Sequence, residues 1–237
     1  MHFNKNSLII LVFIFFSAII SLLIIKQIIY PTIIPMVYKN GAFVFSDWTA
    51  ILNANICYEK GYDVFIDNPC DQWKRIHVYG KILLYMPGIK NFPKFYFLLF
   101  PIFINLLFLF TIVSSLFTYP DKKKFFLSGL FILSVPVLLV IERSNIDLLI
   151  FIFTFFIAKN NNIILKHLLI FLSTISKFYP LCLSIVFLFE KNFKKIIINI
   201  LILFFIIFLF FSFQTDTLVK IYNNQGVATA SSFGVYE

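Results

Sequence analysis

The sequence predicts an all-α fold: a polytopic transmembrane helix bundle of about seven membrane helices, some of them short, with one long extracytoplasmic first loop. Three observations carry this expectation. Hydrophobic residues fill 60% of the 237 positions and charged residues only 13%, against about a quarter charged in a soluble domain. The apolar residues gather into runs at about 8–30, 95–118, 125–141, 146–158, 163–175, 180–189 and 196–213. The basic residues fall mostly in the segments between those runs.

The first run has an apolar core, 8–25, that exceeds a signal-peptide core, and no small-residue cleavage pattern follows it. It therefore reads as an uncleaved first span. The runs at 146–158, 163–175 and 180–189 fall short of the roughly 20 residues that cross a bilayer squarely. They read as helices inside a bundle, or as helices that enter the membrane obliquely. Merging 163–189 into one kinked helix is the competing topology, and it would reverse the orientation of everything after it. No internal repeat of the kind that builds inverted-repeat transporters is present. The polar segment 214–237 reads as an outer loop awaiting another span, so a longer native protein is expected.

Charge sets the orientation. With the amino terminus inside, the inner segments carry Lys5, Lys122, Lys123, Lys124, Lys159, Lys166, Lys191, Lys194 and Lys195. The short outer segments carry only Arg143, Lys177 and Lys220. That is the bias of the positive-inside rule, and it places the chain in a cytoplasmic (inner) membrane with the long loop, 31–94, on the extracytoplasmic side. The same distribution excludes nucleic acid as the partner for the net charge of +9: loop-clustered cations orient a membrane protein and form no phosphate-tracking face. The expected surroundings are the lipid bilayer.

Within the long loop, residues 47–59 predict a helix lying in the interface plane, with Trp48, Ile51, Leu52 and Ile56 on one stripe. Ser46 would cap it, and Asp47 would sit in the first turn, where the helix dipole favours a negative charge. An acidic residue at that position needs no catalytic role. Cys57 and Cys70 lie in the same outer loop, where a disulfide would persist; bridged and separate thiols are both open. Cys182 lies in an apolar run and reads as packing. Asp63, Asp67 and Asp71 recur every four residues, but Pro69 interrupts any helix that would align them, so no metal site is expected. No His or Cys spacing suits zinc, and neither GxGxxG nor a P-loop is present, so no cofactor is expected.

Polar residues also stand where charge is expensive. Glu142-Arg143-Ser144-Asn145-Ile146-Asp147 separates two apolar runs, with Arg143 and Asp147 four apart and able to pair on a helix. Ser176-Lys177-Phe178-Tyr179-Pro180 separates the next two. Ionisable groups at the rim of a bundle are functional hypotheses by default, although snorkelling interfacial turns explain them equally well. Asp47 as a base, with cations from Arg75, His77, Arg143 and Lys177, is the set that sugar transfer from a lipid phosphate needs. A base takes the proton of the attacking hydroxyl, and cations hold the phosphate as its charge grows.

In order along the chain, Ser46-Asp47-Trp48, Gly61-Tyr62-Asp63-Val64-Phe65, Tyr85-Met86-Pro87, Ser134-Val135-Pro136 with Glu142 to Asp147, and Lys177-Phe178-Tyr179-Pro180 resemble the motifs of the GT-C class of integral-membrane glycosyltransferases. The closest likeness is to its polyprenyl-phosphate-mannose-dependent α-mannosyltransferase branch. The middle turn departs from that pattern, with Glu-Arg-Ser-Asn where Gly-Gln-x-Asn is usual, and the chain has fewer spans than the class carries. The resemblance implies an inverting hexosyltransferase that moves a hexose, mannose in that branch, from a polyprenyl-phosphate-linked sugar to an envelope glycan or glycolipid acceptor. The resemblance makes Asp47 the catalytic base, with Arg143 and Lys177 near the donor phosphate; Arg75 and His77 are the further cations expected there, and Trp48, Asn145, Asp147 and Tyr179 are the residues expected at the substrate. The alternatives from other classes are a non-catalytic membrane fragment and a lipid or solute transporter. The orientation has a direct test: a reporter enzyme fused after Glu237 is expected to be active only outside the cytoplasm, and one fused after Lys124 only inside. The opposite pair of activities would invert the topology.

Overall fold

The computed structural model of the chain describes residues 45–118, 127, 130–132, 134–189 and 192–224. The first apolar run, 8–30, lies outside the described residues, as do Lys5, Lys122, Lys123, Lys124 and Lys191 of the orientation argument. Every regular element among the described residues is helical. The α-helices are α1 (Ser46–Glu59), α2 (Phe100–Thr118), α3 (Val135–Arg143), α4 (Asp147–Lys159), α5 (Ile163–Ser176) and α6 (Phe193–Asn224). A π-helical turn, Phe95–Leu99, leads into α2, and 3₁₀ segments cover Lys81–Leu84 and Tyr179–Phe189. Among the described residues, two stretches are long and apolar enough to cross a membrane by length and composition, Phe95–Ser114 and α6.

The chain divides into two compact units. The first contains the start of α1 with Ile89–Asn162. Here α2 packs on α4, and the rings of Phe108 and Phe151 meet edge to face with centroids 4.9 Å apart. Helices α3 and α4 are joined by a tight turn. Ser144 takes a left-handed conformation at φ 46°, its N–H bonds the Ile141 carbonyl, and Asn145 N–H bonds the Val140 carbonyl. That pair of bonds is a Schellman motif, which satisfies carbonyls that a helix end would otherwise leave bare.

The second unit contains Ala50–Gly88 with the chain from Ile163 onward. Its loop core gathers Ala54, Cys57, Val64, Phe65 and Leu84 around Ile221 of α6. A disulfide joins Cys57 to Cys70 across 13 positions, resolving the alternative left open by the sequence. Lys220 of α6 pairs with Asp63 at 2.6 Å. The Gly80 N–H donates to the Ser176 carbonyl at the end of α5, at 2.9 Å. The loop thus sits at the end of the unit where both α5 and α6 terminate. Tyr179–Phe189 packs back along α5 as a separate element, not as a continuation of it. At about 2.0 Å per residue, its eleven residues extend about 22 Å, more than an α-helix of that length would.

Helices α5 and α6 are built inside out. The buried residues of α6 are Asn199, Ile206, Phe210, Gln214, Thr217 and Ile221, half of them polar. Leu201, Phe204, Phe205, Phe208, Phe211 and Phe213 are exposed. Only 17% of its most apolar window is buried, whereas the core helix of a soluble protein is mostly covered. In α5, polar His167, Ser173, Thr174 and Ser176 are buried beside Leu169 and Ile170, while Ile164 and Leu168 are exposed. The hydroxyls of Ser173, Thr174 and Ser176 bond carbonyls one turn back, at 2.7 to 2.8 Å, so each is satisfied within its own helix.

Helix α1 corrects two expectations. Trp48, Ile51 and Leu52 form the anticipated apolar stripe, but Ala54, Asn55 and Cys57 are buried as well. Glu59 alone is exposed along the whole helix. Its other residues are buried or half-buried, so apolar cover extends beyond the expected stripe. Ser46 is its first helical residue. The position before it belongs to Phe45, at φ 63°, whose carbonyl accepts from Thr49 N–H at 2.8 Å.

The docking of the loop on α5 depends on a glycine. A Cβ at Gly80 would stand 1.6 Å from the Ile175 carbonyl oxygen. Gly80→Ala is expected to lower stability by about 1–3 kcal/mol or more through forced displacement of that backbone, read as a fall in the thermal unfolding midpoint of the purified protein. An unchanged midpoint would refute the close approach.

Candidate functional site

In the first unit, four of the expected site residues come together around one carboxylate. Asp47 occupies the first turn of α1, and Arg143 closes α3. Asn145 lies in the Schellman turn, and Asp147 opens α4. Asn145 Nδ2 donates to Asp47 Oδ2 at 2.8 Å. The other end of the same amide, Oδ1, accepts the backbone N–H of Asp147 at 3.0 Å. An amide held at Oδ1 by a backbone donor can present only its NH₂ to the carboxylate. The orientation of Asp47 is thereby inherited from the turn.

Arg143 NH1 lies 3.9 Å from Asp47 Oδ1. That separation is electrostatic, longer than a hydrogen bond. The side chain of Asp47 is 14% exposed and that of Arg143 27%, so neither is sealed from a substrate. The i, i+4 pairing of Arg143 with Asp147 on one helix does not apply, because the turn places them on α3 and α4.

Two neighbours steady this arrangement. Phe45 N–H bonds the Glu142 carbonyl at 3.1 Å, tying the start of α1 to the end of α3. Asn105 Nδ2 donates to Ser144 Oγ at 3.3 Å, which accounts for a serine at a left-handed position where glycine is the usual choice. Sequence reasoning missed Asn105, although an amide inside the apolar run 95–118 was a legible signal.

Trp48 corrects its expected role. It is buried, its ring is 5.0 Å from that of Phe100, and Nε1 donates to the Tyr96 carbonyl at 2.9 Å. It is a packed wall behind Asp47, with its one polar atom committed to backbone.

The expected residues of the second unit divide into three kinds. Arg75 grips Asp71 through two bonds, Nε to Oδ2 and NH2 to Oδ1, both 2.9 Å. Its guanidinium also lies over Trp73, 4.4 Å from the centroid. Burial of the Asp71 carboxyl raises its pKa, but the Arg75 fork and the N–H groups of Arg75 and Trp73 outweigh that and hold it below the usual carboxylate range. Arg75 is a structural cation, a correction to its expected place at a donor phosphate.

His77 is corrected as well. It is 3% exposed, lies 5.4 Å from the Phe65 ring and 5.7 Å from the Tyr79 ring, and burial pushes its pKa down to about 4. At neutral pH it is uncharged and cannot serve as a cation. Lys177 differs from both: its ammonium lies 5.7 Å from the ring of Tyr79 and 5.4 Å from that of Tyr179. Tyr179 is exposed. The recurring aspartates do not converge, since Asp71 holds Arg75 and Asp63 holds Lys220.

Comparison with protein-family models, with curated proteins and with solved structures returns no match.

The depressed His77 value has a pH signature. The unfolded chain takes up this proton near pH 6.5, the folded one only near 4. The folded state therefore holds fewer protons in that window, and stability is complete above pH 6.5 and declines as pH falls towards 4. The decline is expected to reach about 3 kcal/mol at most. His77→Phe keeps a ring and should flatten the change in unfolding midpoint between pH 7 and 4.5; a variant as pH-sensitive as the parent would discard this account.

Proposed function

We propose that the chain is a polytopic membrane glycosyltransferase that moves a hexose from a polyprenyl-phosphate donor to a glycan or glycolipid acceptor on the extracytoplasmic side. The observation that carries this reading is the Asp47 carboxylate, held at one oxygen by Asn145 and approached at the other by Arg143. The inside-out polarity of α5 and α6 supports a bilayer as their solvent. The disulfide supports an oxidising, extracytoplasmic side for the loop.

The chemistry follows from the carboxylate. Asp47 takes the proton of an acceptor hydroxyl as that oxygen bonds the anomeric carbon of the donor sugar. The bond from that carbon to the phosphate oxygen breaks on the opposite face, with inversion, and its electron pair stays on polyprenyl phosphate. Arg143 balances the negative charge growing on the leaving group. Asn145 contributes by positioning: a carboxylate with one oxygen fixed has its other oxygen aimed. The bilayer delivers the hydrophobic donor, so no nucleotide or cofactor is called for. The ordered motifs from Ser46 to Pro180 support the same reading.

The test is sugar incorporation by membrane vesicles supplied with labelled polyprenyl-phosphate hexose. Asp47→Asn is expected to reduce transfer by at least about 100-fold, the lower end of what a positioned base provides, with insertion and abundance unchanged. Asn145→Ala should lower kcat more than it raises KM, and Arg143→Lys should be less damaging than Arg143→Gln. Full transfer by Asp47→Asn would remove it from any mechanism.

A further inference from the structure

A second site stands apart from Asp47, in the unit that contains α5 and α6. A cavity of about 350 Å³ lies between the 3₁₀ segment Tyr179–Phe189 and α6, and Cys182, Ser184, Ile185, Phe187, Asn199 and Leu203 are among its walls. The lining is apolar but for three residues, and Asn199 is one of them. It is 2% exposed, and its Nδ2 is buried with no hydrogen-bond partner. A buried amide left unpaired costs about 1–3 kcal/mol. The unpaired Nδ2 offers a donor to whatever fills the space. Cys182 and Ile185 are exposed, so the cavity opens on the outer surface of the unit, beside the uncovered apolar face of α6.

Depth and charge identify the occupant. Lys194 and Lys195 are exposed in the first turn of α6. Asn199 follows four residues after Lys195, about 6 Å further along the helix axis. With a hydrocarbon core of about 30 Å in a bilayer of about 40–45 Å, each headgroup layer is about 5–8 Å thick. Lysines at phosphate level therefore place Asn199 at the level of the glycerol esters, and the cavity beyond it at the first methylenes of an acyl chain.

We infer that this cavity is a binding site for an anionic glycerophospholipid. The ammonium groups of Lys194 and Lys195 attract the phosphate, the Asn199 amide donates to an ester carbonyl, and the acyl chain fills the space between Phe187 and Leu203. The inference rests on α6 crossing a bilayer and is independent of sugar transfer. Polyprenyl phosphate shares the phosphate but has no ester carbonyl for Asn199, and phosphatidylcholine has the esters but no net charge.

The chain carries its own probe. Of its three cysteines, two are bridged and Cys182, in the cavity wall, is free. The purified full chain in detergent is treated with N-ethylmaleimide while phosphatidylglycerol, phosphatidylcholine or polyprenyl phosphate is titrated in. Phosphatidylglycerol should slow Cys182 alkylation at concentrations at least about five-fold lower than either comparison lipid, about one hydrogen bond or charge contact. Asn199→Leu should remove its advantage over polyprenyl phosphate, and the exposed pair Lys194→Gln with Lys195→Gln its advantage over phosphatidylcholine.

Equal protection by all three lipids would overturn the proposal, as would undiminished selectivity in both variants. So would a Cys182 that resists alkylation without lipid, since another segment of the chain would then occupy the space. None of these outcomes depends on transferase activity, so this inference and the proposed function fail separately.

Discussion

The hydrogen bond from Asn145 to Asp47 spans 98 positions of sequence, and the candidate site depends on it. Its geometry is set upstream in a chain of small commitments. Asn105 in α2 holds the Ser144 hydroxyl; Ser144 closes α3 in a left-handed conformation. The turn then offers Asn145, whose carbonyl end is fixed by Asp147 N–H. Each link is an ordinary hydrogen bond that contributes about 0.5–1.5 kcal/mol, but an unpaired buried group at any link would cost about 1–3. The network also explains the serine: a left-handed L-residue costs about 1–2 kcal/mol, offset here by a side chain that glycine lacks.

Cohesion in the second unit takes a different form. On the proposed reading, with a bilayer around the apolar outward faces of α5 and α6, transferring a leucine from lipid to protein gains little. Helices in that situation associate through close packing, which fits the small serines and threonine turned inward on α5, each with its hydroxyl bonded within its own helix. The loop supplies what the bundle cannot. Its apolar cluster, its disulfide, and its ties from Gly80 to Ser176 and from Asp63 to Lys220 fasten the ends of two helices. On the proposed reading that end faces water, where hydrophobic burial regains its value.

The sequence made some of this legible. A helix over 47–59 followed from its periodicity and starts one residue earlier, at Ser46. The turn between α3 and α4 was visible as a polar island between apolar runs. The burial of the remaining sides of α1 was not legible, because Asn55 and Ala54 look like a surface face until the fold encloses them. Arg75 shows how local spacing misled. Asp71 was read with Asp63 and Asp67 as a repeating set, whereas the informative spacing was Asp71 with Arg75, four apart. Long-range facts such as Lys220 on Asp63, or the Ile175 carbonyl against Gly80, have no local signature.

The three groups expected to supply positive charge from the second unit separate on a single criterion, the nature of their partner. Arg75 faces a carboxylate whose side chain is 1% exposed, and at short range such a pair presents almost no net charge to its surroundings. His77 has lost its proton to burial and presents none. Lys177 is placed over two tyrosine faces, each of which orients an ammonium for about 0.5–1 kcal/mol and carries no formal charge to cancel it. Ring faces therefore help to fix where that cation stands. Counting cations in a sequence overestimates the field they produce, because a buried pair such as Arg75 with Asp71, or a deprotonated ring such as His77, contributes little of it.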